Sequence, residues 1–344
     1  MEKKKVVITN RVFPETRALL EAHARIVANE NEEPWSDDEL ERHCRDAFGV
    51  MAFMTDSIDG KFLAACPDLK IIGAALKGYD NIDVEACTRA GVTVTIVPDL
   101  LTIPTAELAI GLMLSLGRNI LRGDEAIRSG GFHGWRPALY GTGLDGSVVG
   151  ILGYGLVGQA IAKRLAPFGC LILASDSNAV CGERSGNMEF ADKDKVIAEA
   201  DWLVLALPLN ADTQHIIDRS AIGRMKPGVR IVNPARGSLV DEAAIADALA
   251  AGHIGGYAAD VFECEDWARR DRPAEIDPRL LADRDRTVLT PHIGSAVVDV
   301  RRNIELSAAR SIVDAIADRH PAHAINKPVL STSETAEDAE PAAR

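Results

Sequence analysis

The sequence feature that most constrains the fold is the glycine-rich segment Gly153-Tyr-Gly155-Leu-Val-Gly158. It follows the apolar run 147–152, which is typical of a buried strand, and precedes 159–165, which is typical of a helix. In such a strand–turn–helix unit, backbone amides can approach a pyrophosphate whose charge lies at the helix N-terminus. The segment therefore predicts a dinucleotide-binding unit, although a glycine pattern outside this context would be weak evidence.

An acidic residue follows the next β-like run, 170–174. Asp176 lies roughly 18 residues after Gly158, and a spacing of about 20 is typical of the acid that contacts the ribose hydroxyls of NAD. Because a carboxylate at this position repels a 2′-phosphate, we expect NAD rather than NADP as cofactor. The alternative is a solvated aspartate beside a purely structural turn.

Strand and helix patterns alternate along most of the chain. Further β-like runs occur at 202–206, 230–233, 256–259 and 287–290, and such a series predicts a doubly wound α/β domain. The first hundred residues alternate in the same way, with β-like runs at 5–9, 49–54 and 69–75. We therefore expect an α/β protein with two Rossmann-like doubly wound domains. Between the two series we expect a long apolar helix from Thr105, and Ser295 is expected to cap a last helix over 296–316.

Composition excludes several classes of function. The formal charge of -13 argues against nucleic-acid binding, which depends on a basic surface. No run of about 18 apolar residues suggests a membrane span. The six cysteines have neither disulfide nor zinc spacing, so we expect free thiols, no metal site and a cytoplasmic location.

Three chemically complementary residues follow successive predicted strands of the second series. They are Arg236, Glu265 and His292, which we call the catalytic trio. An arginine holds an oxyanion, a histidine exchanges the proton that moves with a hydride transfer, and a carboxylate orients that histidine. Each residue also has an ordinary alternative, as a loop ion-pair partner, a solvated acid or a histidine near a helix start.

The motifs around the catalytic trio resemble those of the D-2-hydroxyacid dehydrogenase family over nearly the whole chain. The matching segments are N-P-A-R-G-S-L-V-D-E at 233–242, A-A-D-V-F at 258–262 and T-P-H-I-G-S at 290–295, besides the glycine turn. The resemblance implies an NAD-binding domain at 101–293, a discontinuous substrate-binding domain at 1–100 and 294–330, and a homodimer. It also implies catalytic roles for the trio and a nicotinamide contact for Asp260. We expect 331–344 to be a disordered tail.

Segments 51–54, 75–83, 97–107, 140–145 and 265–269 resemble more narrowly the phosphite (phosphonate) dehydrogenases within that family. This resemblance implies NAD-dependent oxidation of phosphite to phosphate, with Lys77 added to the catalytic trio. It implies substrate contacts from Lys77, Gly78, Met54, Arg236, Tyr140, Trp135, Ser295 and Arg301. Cofactor contacts are expected from Thr105, Gly153, Gly155, Leu156, Val157, Gly158, Asp176, Leu207, Pro208, Pro234, Ala235, Arg236, Asp260, His292 and Gly294.

Lys77 also draws attention on physical grounds. It follows an apolar predicted strand and precedes a Gly-Tyr-Asp turn. At this position the general family carries a small or apolar residue. The chain departs from the general family a second time at Asp266, where that family has proline. Phosphite is largely a dianion at neutral pH, whereas a 2-hydroxy acid carries one charge. A second cation beside Arg236 therefore favours phosphite, and a solvated turn lysine is the alternative.

Two other functions remain open from the sequence. One is a D-2-hydroxyacid dehydrogenase that acts on a small 2-hydroxy or 2-keto acid, with His292 as the same proton carrier. The other is an NAD-sensing binding protein similar to the C-terminal-binding-protein corepressors, which the acidic composition does little to support.

Overall fold

The structure is a computed structural model that describes residues 3–97, 99–266, 269 and 271–328. The chain divides into two compact units. The first unit contains 3–76, 82–97 and 305–328, and the larger unit contains 77–81 and the described residues between 99 and 304. The predicted tail, 331–344, and Trp267 of the phosphite-type segment lie outside the described residues.

The first unit contains a five-stranded parallel sheet with the order β2-β1-β3-β4-β5. Its strands are β1 (Lys5–Ile8), β2 (Arg25–Ala28), β3 (Gly49–Ala52), β4 (Ile71–Ala74) and β5 (Thr93–Thr95). Its helices are α1 (Pro14–His23), α2 (Asp37–Cys44), α3 (Gly60–Ala65) and α4 (Val84–Arg89). All residues of β3 and β4 are buried, as expected for central strands of a parallel sheet that is covered on both faces.

The larger unit is built around an eight-stranded sheet. Its strands are β6 (Val148–Leu152), β7 (Leu171–Ser175), β8 (Arg184–Ser185), β9 (Met188–Phe190), β10 (Trp202–Leu205), β11 (Val229–Asn233), β12 (Ile254–Ala259) and β13 (Thr287–Leu289). Its helices are α5 (Thr102–Gly117), α6 (Ile120–Arg128), α7 (Leu156–Leu165), α8 (Lys193–Glu199), α9 (Arg219–Gly223), α10 (Glu242–Ala250) and α11 (Pro278–Ala282). The last helix, α12 (Val298–Ile316), begins in this unit, and its residues from Glu305 onward belong to the first.

The strand order of the large sheet is β13-β12-β11-β10-β6-β7-β9-β8, and only the β8–β9 pair is antiparallel. The six central strands thereby follow the doubly wound order of a dinucleotide-binding domain. In such sheets the order reverses beside the first strand, here between β6 and β10, and ligands bind outside the carboxyl ends at that point. The predicted α/β fold class is confirmed.

Two helix boundaries differ from the sequence-based expectation. The apolar helix α5 begins at Thr102 rather than Thr105, because Pro104 is tolerated in the first helical turn, where its missing N–H is not needed. Ser295 does not cap α12, which begins at Val298. The residues before it form tight turns instead, with the Val297 amide donating to the Ser295 carbonyl.

The domain ranges inferred from the family resemblance stay a prediction, and the two units differ from them mainly in dividing α12 at Ile304. Within the first unit, glycines allow the second half of α12 to approach the sheet closely. A Cβ on Gly73 would lie 2.7 Å from the Ile312 side chain and 2.9 Å from the Ala308 carbonyl. Across the described ranges, every helix is too short or too polar to cross a membrane.

Candidate active site

The glycine turn after β6 forms a cradle that side chains would fill. Gly153 has a φ of 94°, and a Cβ there would lie 2.5 Å from the Ala206 carbonyl oxygen after β10. A Cβ on Gly158 would lie 2.2 Å from the Gly153 carbonyl oxygen, so α7 can pack against the turn only with glycine there. In contrast, the space around a Cβ on Gly155 is open to 4 Å.

This cradle fits a pyrophosphate. Gly155 is the N-cap of α7 and offers no side-chain acceptor to the first-turn amides. The first amide that donates within the helix is that of Gln159, which bonds to the Gly155 carbonyl. The three amides before it, those of Leu156, Val157 and Gly158, therefore have no partner within the helix. Unpaired amides at a helix N-terminus favour an anionic ligand.

Asp176 follows β7 directly and is tied to the glycine turn. One carboxylate oxygen accepts the Asn178 amide at 2.9 Å, and the other accepts the Tyr154 amide at 2.9 Å. The Asn178 bond and then the Tyr154 bond lower the pKa of Asp176. A carboxylate that favours its ionised form therefore stands beside the cradle, and its contact with the ribose hydroxyls stays a prediction.

The other predicted cofactor residues lie mostly at the carboxyl ends of strands, as the fold requires. Leu207 and Pro208 follow β10, Pro234 and Ala235 follow β11, Asp260 follows β12, Gly294 follows β13, and Thr105 lies in α5. A Cβ on Gly294 would lie 3.1 Å from an Asp260 carboxylate oxygen and 3.4 Å from the Thr105 hydroxyl, so these three residues are neighbours. Their individual cofactor contacts stay predictions.

His292 and Glu265 form a hydrogen-bonded pair. The His292 Nδ1 atom lies 2.8 Å from Glu265 Oε2, while Glu265 Oε1 accepts the Phe262 amide at 2.8 Å. His292 has a φ of 51°, in the left-handed region that residues other than glycine rarely adopt. Its amide donates to the Asp260 carbonyl at 2.8 Å. This backbone directs the imidazole, and the bond at Nδ1 leaves Nε2 for proton exchange.

Asp260 shapes the turn that carries His292. Its side chain is buried, and one oxygen accepts the Thr290 hydroxyl at 2.6 Å and the Ile293 amide at 2.8 Å. The second oxygen accepts the Gly294 amide at 2.8 Å. Burial raises the pKa of this carboxyl group. Both oxygens thus already serve the turn, and the nicotinamide contact expected of Asp260 remains untested.

Arg236 is held by an aspartate that sequence analysis did not assign a role. The Arg236 Nε donates to Asp80 Oδ1 at 3.1 Å, and Nη1 donates to the Ala235 carbonyl at 2.9 Å. A Cβ on Gly78 would lie 1.8 Å from Nη2, so glycine is required for the guanidinium to occupy this place. The remaining donors of the fork are available to an oxyanion. The only sequence signal for Asp80 was its place in the Gly-Tyr-Asp turn.

Lys77 is a second cation in this part of the chain, and it immediately precedes Gly78, the glycine that abuts the Arg236 guanidinium. The Lys77 Nζ donates to the Thr102 hydroxyl at 3.3 Å, and the side chain is half-buried. Within the described ranges, its ammonium forms no ion pair with a carboxylate. Desolvation lowers its pKa, opposed by the more distant charge of Asp99. A partly dehydrated cation whose nearest partner is a neutral hydroxyl is costly, and a bound anion would reduce that cost.

The remaining predicted pocket residues lie in several parts of the chain. Trp135 and Tyr140 are 79% and 80% exposed, and over the described part of the chain no hydrogen bond or ring contact links either side chain to the trio. Ser295 and Arg301 are half-buried before and within α12. Met54 belongs to the first unit, where it packs against that unit's core. The substrate contacts expected of these five residues stay predictions.

Comparison with known proteins agrees with this geometry. Residues 110–294 match the family model of the D-isomer specific 2-hydroxyacid dehydrogenase, NAD binding domain. A glyoxylate reductase of Thermofilum pendens is 35% identical over 337 residues, covering 96% of each chain. The structure of the TT0316 protein from Thermus thermophilus superposes with a TM-score of 0.83 at 28% identity, over 94% of this chain and 100% of that one.

A second structure, of a glyoxylate reductase from Paecilomyes thermophila, gives a TM-score of 0.81 at 28% identity and covers 94% of this chain and 99% of that one. The resemblance to the broader family is thereby confirmed, as is the prediction of NAD as the cofactor. Among the described residues, no group of three or more His, Cys, Asp or Glu side chains could hold a metal ion. The chain belongs to the D-isomer specific 2-hydroxyacid dehydrogenase family and carries its NAD-binding domain.

Proposed function

We propose that this member of the family oxidises phosphite to phosphate, with NAD as hydride acceptor. The observation that carries the proposal is the half-buried Lys77, which directly precedes the glycine that abuts Arg236 and has no ion-pair partner among the described residues. Arg236 is itself partly neutralised by Asp80. The net positive charge contributed by Lys77 is therefore free to balance a second negative charge on the substrate.

Charge matching distinguishes the candidate substrates. A 2-hydroxy or 2-keto acid carries one negative charge, which the Arg236 fork alone can hold in a bidentate manner. Phosphite at neutral pH is largely a dianion, and it needs a second cation if it is to leave water. Lys77 supplies that cation within the same unit of the structure.

The chain's own residues divide the chemistry between them. When bound, NAD supplies a nicotinamide ring that accepts a hydride. Lys77 and Arg236 hold the phosphite oxygens, so that the P–H bond has a fixed direction relative to the cradle. His292 takes a proton at Nε2 from the water whose oxygen forms the new bond to phosphorus as the hydride leaves. Glu265 stabilises the resulting imidazolium through Nδ1.

A second candidate is supported by the relatives. The Thermofilum pendens and Paecilomyes proteins are named glyoxylate reductases, so reduction of a small 2-keto acid such as glyoxylate is the competing function. In that reaction Arg236 would hold the carboxylate, and His292 would donate a proton to the keto oxygen. That reaction gives Lys77 no charge to balance.

One assay separates the candidates. Purified protein is incubated with NAD and phosphite, and in parallel with NADH and glyoxylate, while NADH absorbance is followed. Phosphite-dependent formation of NADH that exceeds the glyoxylate rate in kcat/KM supports the proposal, and the opposite ranking rejects it. The His292→Asn variant is the control for a contaminating activity. A protein that binds NADH but turns over neither substrate would instead be a binding protein.

We also propose that the chain forms a homodimer in the cytoplasm. Helix α6 supports the dimer, because Ile120, Leu121 and Ile127 on it are 49%, 53% and 54% exposed. Adjacent apolar side chains of this size are typical of a surface that is covered by another protein. Light scattering of the purified protein at several concentrations tests the dimer, and a monomer throughout would reject it.

A further inference from the structure

Ser238, two residues after Arg236, is completely buried, and all of its polar groups are bonded. Its amide donates to Asp266 Oδ2 at 2.7 Å, and its carbonyl accepts the His215 amide at 2.7 Å. Its hydroxyl accepts Arg269 Nη1 at 2.6 Å. The turn that presents Arg236 is thus held at the backbone by residues from other loops.

The Asp266 bond joins this turn to the one that carries the catalytic glutamate. Asp266 directly follows Glu265, its side chain is 3% exposed, and it reaches across to Ser238. A second contact joins the same two turns. Gly237 packs so closely on Phe262 that a Cβ would lie 1.9 Å from the Phe262 carbonyl carbon, and the Phe262 amide in turn holds Glu265.

These links have a geometric consequence for the reaction. Arg236 binds the substrate anion, whereas Glu265 orients the histidine that exchanges the proton. The distance between the anion and the proton carrier therefore depends on how the two turns are joined. The Gly237 contact only prevents closer approach, whereas the bond from the Ser238 amide to Asp266 and the bond from Arg269 to the Ser238 hydroxyl prevent separation. The Asp266 bond is the one that holds the backbone directly.

We propose that Asp266 is a positioning residue that sets the place of Arg236 relative to the Glu265–His292 pair by holding the Ser238 amide. The proposal rests on the proposed role of the catalytic trio in oxyanion binding and proton transfer. Asp266 does not contact the substrate. It gives a function to the residue of the 265–269 segment that stands where the general family carries proline.

The test compares Asp266→Ala with Asp266→Asn. Loss of the acceptor in Asp266→Ala should raise the KM of the anionic substrate about tenfold to hundredfold, because a displacement of the binding group by about 1 Å can have that effect. The dissociation constant of NAD should stay within about twofold, since the cradle is untouched. Asp266→Asn keeps an oxygen acceptor and should restore most of the substrate affinity.

Asp201→Ala is the matched control. Asp201 also links two segments by accepting a backbone amide, that of Val148 at 2.8 Å, but it precedes β10 at the opposite end of the sheet. This variant should lower the melting temperature without changing KM. If Asp266→Ala changes only the melting temperature, or if Asp266→Asn is as impaired as Asp266→Ala, the positioning role is wrong.

A readout without turnover separates this inference from the proposed function. The kinetics use phosphite or glyoxylate, whichever the wild-type protein turns over, and the side-chain Nε–H signal of Arg236 is followed by NMR in the same variants. Asp266→Ala should shift or broaden this signal, because the Nε–H bond to Asp80 depends on the turn, while Asp201→Ala should not. An unchanged signal in Asp266→Ala overturns the inference. If the signal shifts but neither substrate is turned over, only the proposed function fails.

Discussion

Removing the ammonium group of Lys77 provides the sharpest test of how this site selects its substrate. In Lys77→Ala, one charged contact to the anion is lost. Because the lysine is half-buried rather than fully buried, we expect the range for a hydrogen bond to a charged group, about 1.5–3 kcal/mol. Since about 1.4 kcal/mol corresponds to a tenfold change, kcat/KM for phosphite should fall about 10- to 150-fold.

The assay measures kcat/KM for phosphite and for glyoxylate in the same protein preparations, with NAD affinity determined separately by fluorescence titration. Glyoxylate, with one charge held by Arg236, should lose less than phosphite does. Lys77→Arg retains the charge and should keep more activity than Lys77→Ala, although its planar fork differs from the compact ammonium. NAD affinity should be nearly unchanged, because the cradle after β6 holds the pyrophosphate.

A solvated turn lysine makes a different prediction. If Lys77 is only a solvated residue of the turn, kcat/KM for phosphite should stay within about twofold of the wild-type value in both variants. A Lys77→Ala protein that oxidises phosphite at wild-type efficiency would falsify the substrate role, and the hydroxy-acid reaction would then be the better proposal.

Three further results are expected. Burial lowers the pKa of Lys77 below the ordinary lysine value. Since the protonated form binds the anion, kcat/KM should fall as pH rises through that pKa. The pH–rate profile of Lys77→Arg should lack this fall. Asp176→Ala combined with Ser177→Arg should shift preference toward NADP by about 1–3 kcal/mol, which wild-type protein using both cofactors equally would contradict. His292→Asn should lower kcat at least about 100-fold, and adding Glu265→Gln should cost little more; multiplicative losses in the double variant would show independent roles.

Local sequence was sufficient to predict the glycine cradle and the acidic residue beside it. The Gly153 turn and Asp176 are separated by a single helix and strand, so their positions follow from one βαβ unit whose geometry is nearly invariant. The catalytic trio could be predicted for a related reason. The carboxyl ends of parallel strands meet at one edge of a sheet, and polar residues that follow successive strands come together there.

Local signals were less informative at helix starts and in the long connection before β6. Ser295 is a good N-cap residue in isolation, but the turn organised by Asp260 places it before the helix rather than at its start. Trp135 and Tyr140 were assigned to the pocket by resemblance alone; both side chains are exposed, and their substrate contacts stay predictions. Propensity does not determine a helix start such as that of α12, because bonds to residues distant in the chain outweigh it.

The sequence by itself thus determined the doubly wound fold and the glycine cradle, and it predicted the catalytic trio, since each depends on patterns within short segments or on the regular geometry of a parallel sheet. Only the tertiary structure decided how Arg236 is held. Its partner Asp80 is 156 residues away along the chain, and the bond from Ser238 to Asp266 spans 28 residues. Neither pair has a periodicity or spacing that could be detected in advance, because loops of irregular backbone meet only when the sheet beneath them has formed.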